Sequence, residues 1–227
     1  MKYNNYLVNY KVRQAPRAEI FYNVEDVETA LEYFIAVAPE FEHLETFRYD
    51  LVDLTRQAMS DKAQQMLSEL KDAYTSKNIK EFKALSQNYL AAIKDLDVVL
   101  SADSMFLAST WLNKARSRAH NEEQLKLYEF NARNLITQWG PKNTKLKDYA
   151  QRQYGGMMGD FNYKRWQIFF EDANAALESN RKLDWDATNA KISDWEDEWA
   201  NSTNEYPTVT TKEYVGHIKR VYSRYLE

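Results

Sequence analysis

Apolar residues recur along this chain at the three- and four-residue steps of an α-helix almost from end to end, and this spacing predicts eight main helices. Asn23 is placed as an N-cap, with Val24, Val27, Leu31, Phe34 and Ala38 on one face and Pro39 as the stop. A long helix from about Leu44 to Tyr74 follows, with Phe47, Leu51, Leu54 and Ala58 opening its stripe. Asn78, with Glu81 three residues on, reads as the cap of a third helix carrying Phe82, Leu85, Tyr89, Ile93, Leu96 and Val99. Asp103 is expected to cap a fourth, with Ala108, Trp111, Ala115 and Ala119 in line. Asn121 opens a fifth that runs through Leu125, Tyr128, Ala132 and Leu135 to Trp139, where Gly140-Pro141 ends it.

Beyond that loop the pattern predicts a short helix from Leu146 to Tyr154, broken by Gly155-Gly156. A sixth main helix spans about Tyr163 to Leu177 and a seventh Asp186 to Ala200. The last carries Val215, Ile218, Tyr222 and Tyr225 behind a cap at Thr210 or Thr211. Connections this short make antiparallel neighbours, so the expected fold is all-α, an up-and-down bundle of about eight helices. Residues 1–22 have no firm period and read as a linker or arm, with residues 23–227 as the helical domain.

Composition agrees with this picture and narrows it. Only 5 glycines and 4 prolines punctuate 227 residues, too few turn formers for an all-β chain of this length. The net charge of −4 comes from 34 acidic and 30 basic residues interleaved, with no basic stripe to follow a row of phosphates, so no nucleic-acid partner is expected. No apolar run is long enough for a membrane span. The first residues carry no signal-peptide core. The absence of cysteine excludes disulfides and thiolate metal sites. Aromatic residues, at 14%, fit either large rings in the core or a sugar-stacking surface.

Catalytic templates find no match. There is no nucleophile elbow and no phosphate-cradling glycine loop. His43, His120 and His217 lie far apart without helical partners, so no metal and no cofactor is expected. The acidic run Asp194 to Glu198 reads as a solvated helix face, and no pair of carboxyls presents itself for acid–base work.

Two stretches are less ordinary. In Phe47 to Gln57 (F-R-Y-D-L-V-D-L-T-R-Q) charges interrupt an apolar helix, either as intrahelical pairs or as a polar network clamped on a second domain. In Trp139 to Tyr149 a Gly-Pro break sets two rings on either side of a loop, either as core aromatics or as the rim of a pocket.

These stretches resemble the C-terminal helical domain of the family 89 α-N-acetylglucosaminidases. F-R-Y-D-L is followed in family order by F-L-A-S-T-W-L at Phe106 to Leu112 and by Trp139-Gly140-Pro141. Asp148-Tyr149-Ala150, Tyr163 to Trp166 and Tyr206-Pro207 complete the series. The resemblance implies a domain of an exo-acting, retaining glycosidase whose catalytic glutamates lie in a separate (β/α)8 barrel. That barrel, in the same polypeptide, would be its partner, and terminal α-linked N-acetylglucosamine its substrate. It further implies that Trp139 and Tyr149 wall the sugar pocket, with Leu146 as the apolar residue before the Asp-Tyr. The chain would then have no catalytic residue of its own and be inactive alone. The parent would be exported, to a bacterial periplasm or surface or an animal lysosome. A free-standing carbohydrate-binding or scaffold module is the alternative.

This chain departs from the pattern W-G-P-x-G-N-I-L-D-Y-A in being one residue longer and lacking the second glycine. Lys147 in place of an apolar residue predicts a more exposed segment there.

Overall fold

The computed structural model describes residues 20–227, so the expected arm falls almost wholly outside the described residues. Eight α-helices form among them: α1 Val24–Phe41, α2 Glu45–Thr75, α3 Ile79–Leu100, α4 Ala108–Arg116, α5 Glu122–Ile136, α6 Tyr163–Glu178, α7 Trp185–Ala200 and α8 Tyr214–Tyr225. The fold is an all-α helical bundle. Local chemistry sets several of the starts. The side chain of Asn23 accepts from the Glu25 N–H at 3.2 Å, that of Asn121 from Gln124 at 2.9 Å and that of Asp184 from Ala187 at 3.0 Å. At α3 the Asn78 amide accepts the Glu81 N–H and donates to the Glu81 carboxylate at 2.6 Å, a reciprocal cap.

Several boundaries differ from the sequence reading. Pro39 does not stop α1, which runs on to Phe41. A proline in the last turn removes one donor, while the Glu42 N–H still reaches the Ala38 carbonyl at 2.8 Å. Asp103 caps a single 3₁₀ turn, Ser104–Phe106, and α4 begins only at Ala108 and ends at Arg116, before Ala119. The segment from Leu146 to Tyr154 is a run of turns and irregular chain instead of a helix. Helix α8 starts at Tyr214 behind Glu213, with no threonine or other side-chain cap, while the Thr211 N–H upstream donates to the Ser101 carbonyl at 3.0 Å.

The main core lies among α1, α2, α3, α6 and α8. Trp166 is its centre, 4.6 Å from the Tyr89 ring and 5.4 Å from that of Phe170. A second, smaller core of Ala108, Ile136, Met157, Phe161 and Trp199 joins α4 and α5 to α7. Between the two cores the chain crosses itself closely. Leu107 and Gly155 pair as an isolated parallel bridge, and a side chain at Gly155 would lie 2.7 Å from the Ser101 amide nitrogen. The next residue, Gly156, takes φ +88° beneath the Tyr206 ring, a conformation open to glycine.

Asp97 on α3 secures this crossing by accepting the N–H groups of Gly156 and Gly159 at 2.7 and 2.8 Å. Burial pushes its carboxyl above the ordinary value of 3.8, against the pull of those two hydrogen bonds. Between 3.8 and the raised value the unfolded chain has lost the proton that the folded chain still holds, so stability falls as pH rises through that window. Asp97→Asn is therefore expected to flatten the stability profile there and to run parallel to the parent above it. Urea unfolding of both proteins across mildly acidic pH checks this, and identical slopes would refute it.

Candidate functional site

The loop from Trp139 to Tyr149 is built from below by side chains of three helices. Helix α5 ends at Ile136, a turn earlier than its stripe suggests, and Trp139 enters the left-handed region at φ 54°. One side chain accounts for this. Asn134 accepts the Gly140 N–H at 2.8 Å and donates to the Gly140 carbonyl at 2.7 Å, while its own carbonyl takes the Trp139 N–H at 2.8 Å. Asn143 turns the chain at φ 66°, a conformation that asparagine tolerates. The Thr144 N–H then closes on the Pro141 carbonyl at 2.9 Å.

The far end is clamped harder. The Asp148 N–H donates to the Thr137 carbonyl at 2.7 Å, and its carboxylate receives both arms of the buried Arg165 guanidinium at 2.8 and 2.7 Å. Arg165 also lies 3.1 Å from Glu196 of α7 through its Nε. Lys147, expected to be exposed, is instead 11% exposed along its side chain. It pairs with Glu196 and donates to Ser193 at 2.7 Å. Glu196 is likewise not part of a solvated face, being 1% exposed between Arg165 and Lys147. Only carboxylates placed opposite these cations let so many charges leave water.

Above this frame sit the three residues singled out in the sequence. Trp139 and Tyr149 meet at 5.1 Å between ring centroids with a 45° tilt. They are 36% and 67% exposed, and Leu146 is 51% exposed, its carbonyl accepting the Tyr149 N–H at 3.1 Å. These are surface aromatics, not core rings. Trp139 holds positive φ without being glycine, at a cost of about 1 kcal/mol, so the packing beneath it holds a strained backbone there.

The Phe47 to Gln57 stretch makes its polar pairs within α2 and with other segments of the same bundle. Arg56 bonds Asp53 within α2 at 2.8 Å and reaches Gln153 at 3.2 Å, and Arg48 reaches Asp103 at 3.1 Å. Tyr49 stacks on Phe106 at 5.1 Å beside the 63%-exposed Met105.

Two buried networks escaped the sequence reading. Glu129 receives Arg116 and Arg133, and Arg133 lies over the Trp199 ring at 4.7 Å and donates to the Asn204 carbonyl at 2.6 Å. Burial raises the Glu129 carboxyl, but the two guanidiniums outweigh it and the net shift is downward. The Glu129–Arg133 spacing of four residues was the available signal. In the second network Trp199 Nε1 donates to Asp160 at 3.0 Å and to the Tyr206 hydroxyl at 2.8 Å, and Tyr206 donates to Asp160 at 2.6 Å. Burial and the Asp160 carboxylate push the Tyr206 phenol far up, so it stays protonated.

Among the described residues no group of three or more His, Asp or Glu side chains is placed to hold a metal, and no helix is long and apolar enough to cross a membrane. The three histidines stay apart, with His217 Nε2 against the Asp95 carbonyl at 3.1 Å.

The fold and loop together define a helical domain that offers a fixed aromatic surface. The comparisons place it more closely. The family model for the α-N-acetylglucosaminidase (NAGLU) C-terminal domain matches residues 3–224, and the chain belongs to this family. It is 31% identical to human α-N-acetylglucosaminidase over 210 residues, which cover 91% of this chain and 28% of the human protein. A family 89 glycoside hydrolase from Clostridium perfringens, solved with PUGNAc, superposes with a TM-score of 0.81 at 30% identity over 91% of this chain and 24% of its own. A glutamate-to-glutamine variant of the C. perfringens enzyme, in complex with its substrate GlcNAc-α-1,4-galactose, gives 0.83 at 29% identity over 95% of this chain and 26% of its own. The chain thus spans little more than a quarter of the relatives it matches.

Proposed function

We propose that residues 23–227 act as the helical domain of a retaining exo-α-N-acetylglucosaminidase, packed on a catalytic (β/α)8 barrel of the same polypeptide, with residues 1–22 as the arm that leads to it. In this reading Trp139, Leu146 and Tyr149 form part of the wall around a terminal α-linked N-acetylglucosamine. The observation that carries it is the exposed Trp139–Tyr149 ring pair, fixed from beneath by the Asp148–Arg165 fork. Aromatic faces match the apolar faces of a pyranoside, and a rigid platform costs little entropy on binding. The wall orients the sugar, and the chemistry rests on carboxyls outside this domain. The parent enzyme is read as exported or lysosomal.

The chain alone is expected not to hydrolyse an aryl α-N-acetylglucosaminide. Joined to its catalytic barrel it is expected to support turnover, with Trp139→Ala and Tyr149→Ala each raising KM by roughly tenfold, the loss of one ring contact of about 1.4 kcal/mol. Turnover by the chain alone would remove the reading. A second reading, a free-standing carbohydrate-binding module, draws on the exposure of the same rings. Calorimetry separates the two: millimolar binding of N-acetylglucosamine to the chain alone, lost in Trp139→Ala, supports the module.

A further inference from the structure

A second concave surface lies away from the Asp148–Arg165 frame, between α4 and α5. It is a groove of about 370 Å³ lined by Trp111, Lys114, Ala115, Arg118, Tyr128, Asn131, Ala132 and Leu135. Its volume falls in the lower range of small-molecule sites, suited to a ligand of roughly one or two rings rather than a helix. Ala115 and Ala132 leave the floor shallow, and the Trp111 indole is fixed by its Nε1–H, which donates to the Ala132 carbonyl at 2.9 Å. Trp111 and Leu135 remain 36% and 42% exposed.

The charge of the groove is one-sided. Lys114, in the last turn of α4, and Arg118, two residues past its end, line it, and no carboxylate does. The neighbouring Arg116 shows the contrast, because it turns inward onto Glu129 at 2.5 Å. Lys114 and Arg118 are exposed and form no ion pair among the described residues, so both charges are open to a ligand in the groove. In a chain of net charge −4, two unmatched cations over an aromatic and aliphatic surface select for a ligand with an apolar face and a negative edge.

We propose that this groove is a second saccharide site, distinct from the Trp139–Tyr149 surface, and that it takes an acidic sugar bearing a carboxylate or sulfate. The pyranose face lies against Trp111 and Tyr128, the anion meets Lys114 and Arg118, and Asn131 serves a ring hydroxyl. The inference stands apart from the pocket-wall reading, since it uses none of the same side chains.

The test uses the chain itself, nitrogen-labelled, with the Trp111 indole N–H followed by NMR during titration with glucuronic acid, a sulfated N-acetylglucosamine and neutral N-acetylglucosamine. The expected result is shifts at Trp111 with the two acidic sugars, with dissociation constants on the order of millimolar. Affinity should fall about tenfold in Lys114→Ala/Arg118→Ala and weaken with added salt. Trp139→Ala should leave it unchanged. Both alanine positions are exposed and unpaired, so a native spectrum of the double variant keeps the comparison valid. Absence of shifts, equal binding of the neutral sugar, full affinity in the double variant, or loss in Trp139→Ala would each overturn the proposal.

Discussion

Arg165→Met is expected to cost about 3–5 kcal/mol of folding stability, the penalty for stranding buried carboxylates without their cation. Arg165 is 1% exposed and holds Asp148 with two hydrogen bonds while facing Glu196. Methionine fills most of the volume, so the loss is electrostatic and not a cavity. Glu196 keeps Lys147, whereas the Asp148 carboxylate loses its fork. Arg165→Lys is expected to fall between, since one ammonium cannot serve two carboxylate oxygens in that geometry. Adding Asp148→Asn to Arg165→Met should recover much of the loss, because no unpaired charge then remains. Urea midpoints at constant slope measure all three, and a single variant within experimental error of the parent would contradict the account.

Trp199→Ala is expected to be as damaging, at about 3–5 kcal/mol, the range for emptying a buried aromatic site. The ring is fully buried in the smaller core, 4.8 Å from Phe161 and over the Arg133 guanidinium. Its loss also removes a donor from Asp160 and from Tyr206. For a domain of this size, that corresponds to a fall in melting temperature of roughly 6–20 °C. Trp199→Phe isolates the hydrogen bonds from most of the packing and should cost about 1–3 kcal/mol. A melt unchanged in the alanine variant would mean that the second core contributes little.

The helices could be read from the chain because their signals are local. Asn23, Asn78 and Asn121 cap the helices they precede, and Leu31, Tyr89, Leu96, Trp166 and Ile218 are buried as their spacing predicts. The misread segment was the one governed by distant partners. Leu146 to Tyr154 read as a short helix with Lys147 exposed, yet the partners of Lys147 and Asp148 are Glu196 and Arg165, in helices formed later in the chain. Periodicity carries no trace of such pairs. The same reasoning explains Glu196, which resembles its acidic neighbours in sequence and differs from Asp194 only in facing two cations. Of the candidate loop, the rings at Trp139 and Tyr149 were legible from the Gly-Pro break and the family motif. Their support was not, because it comes from Asn134, Arg165 and Glu196 in three different helices.

The hydrogen bond from the Asp148 N–H to the Thr137 carbonyl ties the two stems of the loop together beneath Trp139 and Tyr149. A segment closed at its base is insulated from the helices it connects, and lengthening a closed loop of this size by one residue adds only about 0.1 kcal/mol in closure entropy. Such a segment behaves as an interchangeable cassette. Its length and composition can drift, or be exchanged by design, to reshape the surface that the domain exposes there while the bundle stays as it is.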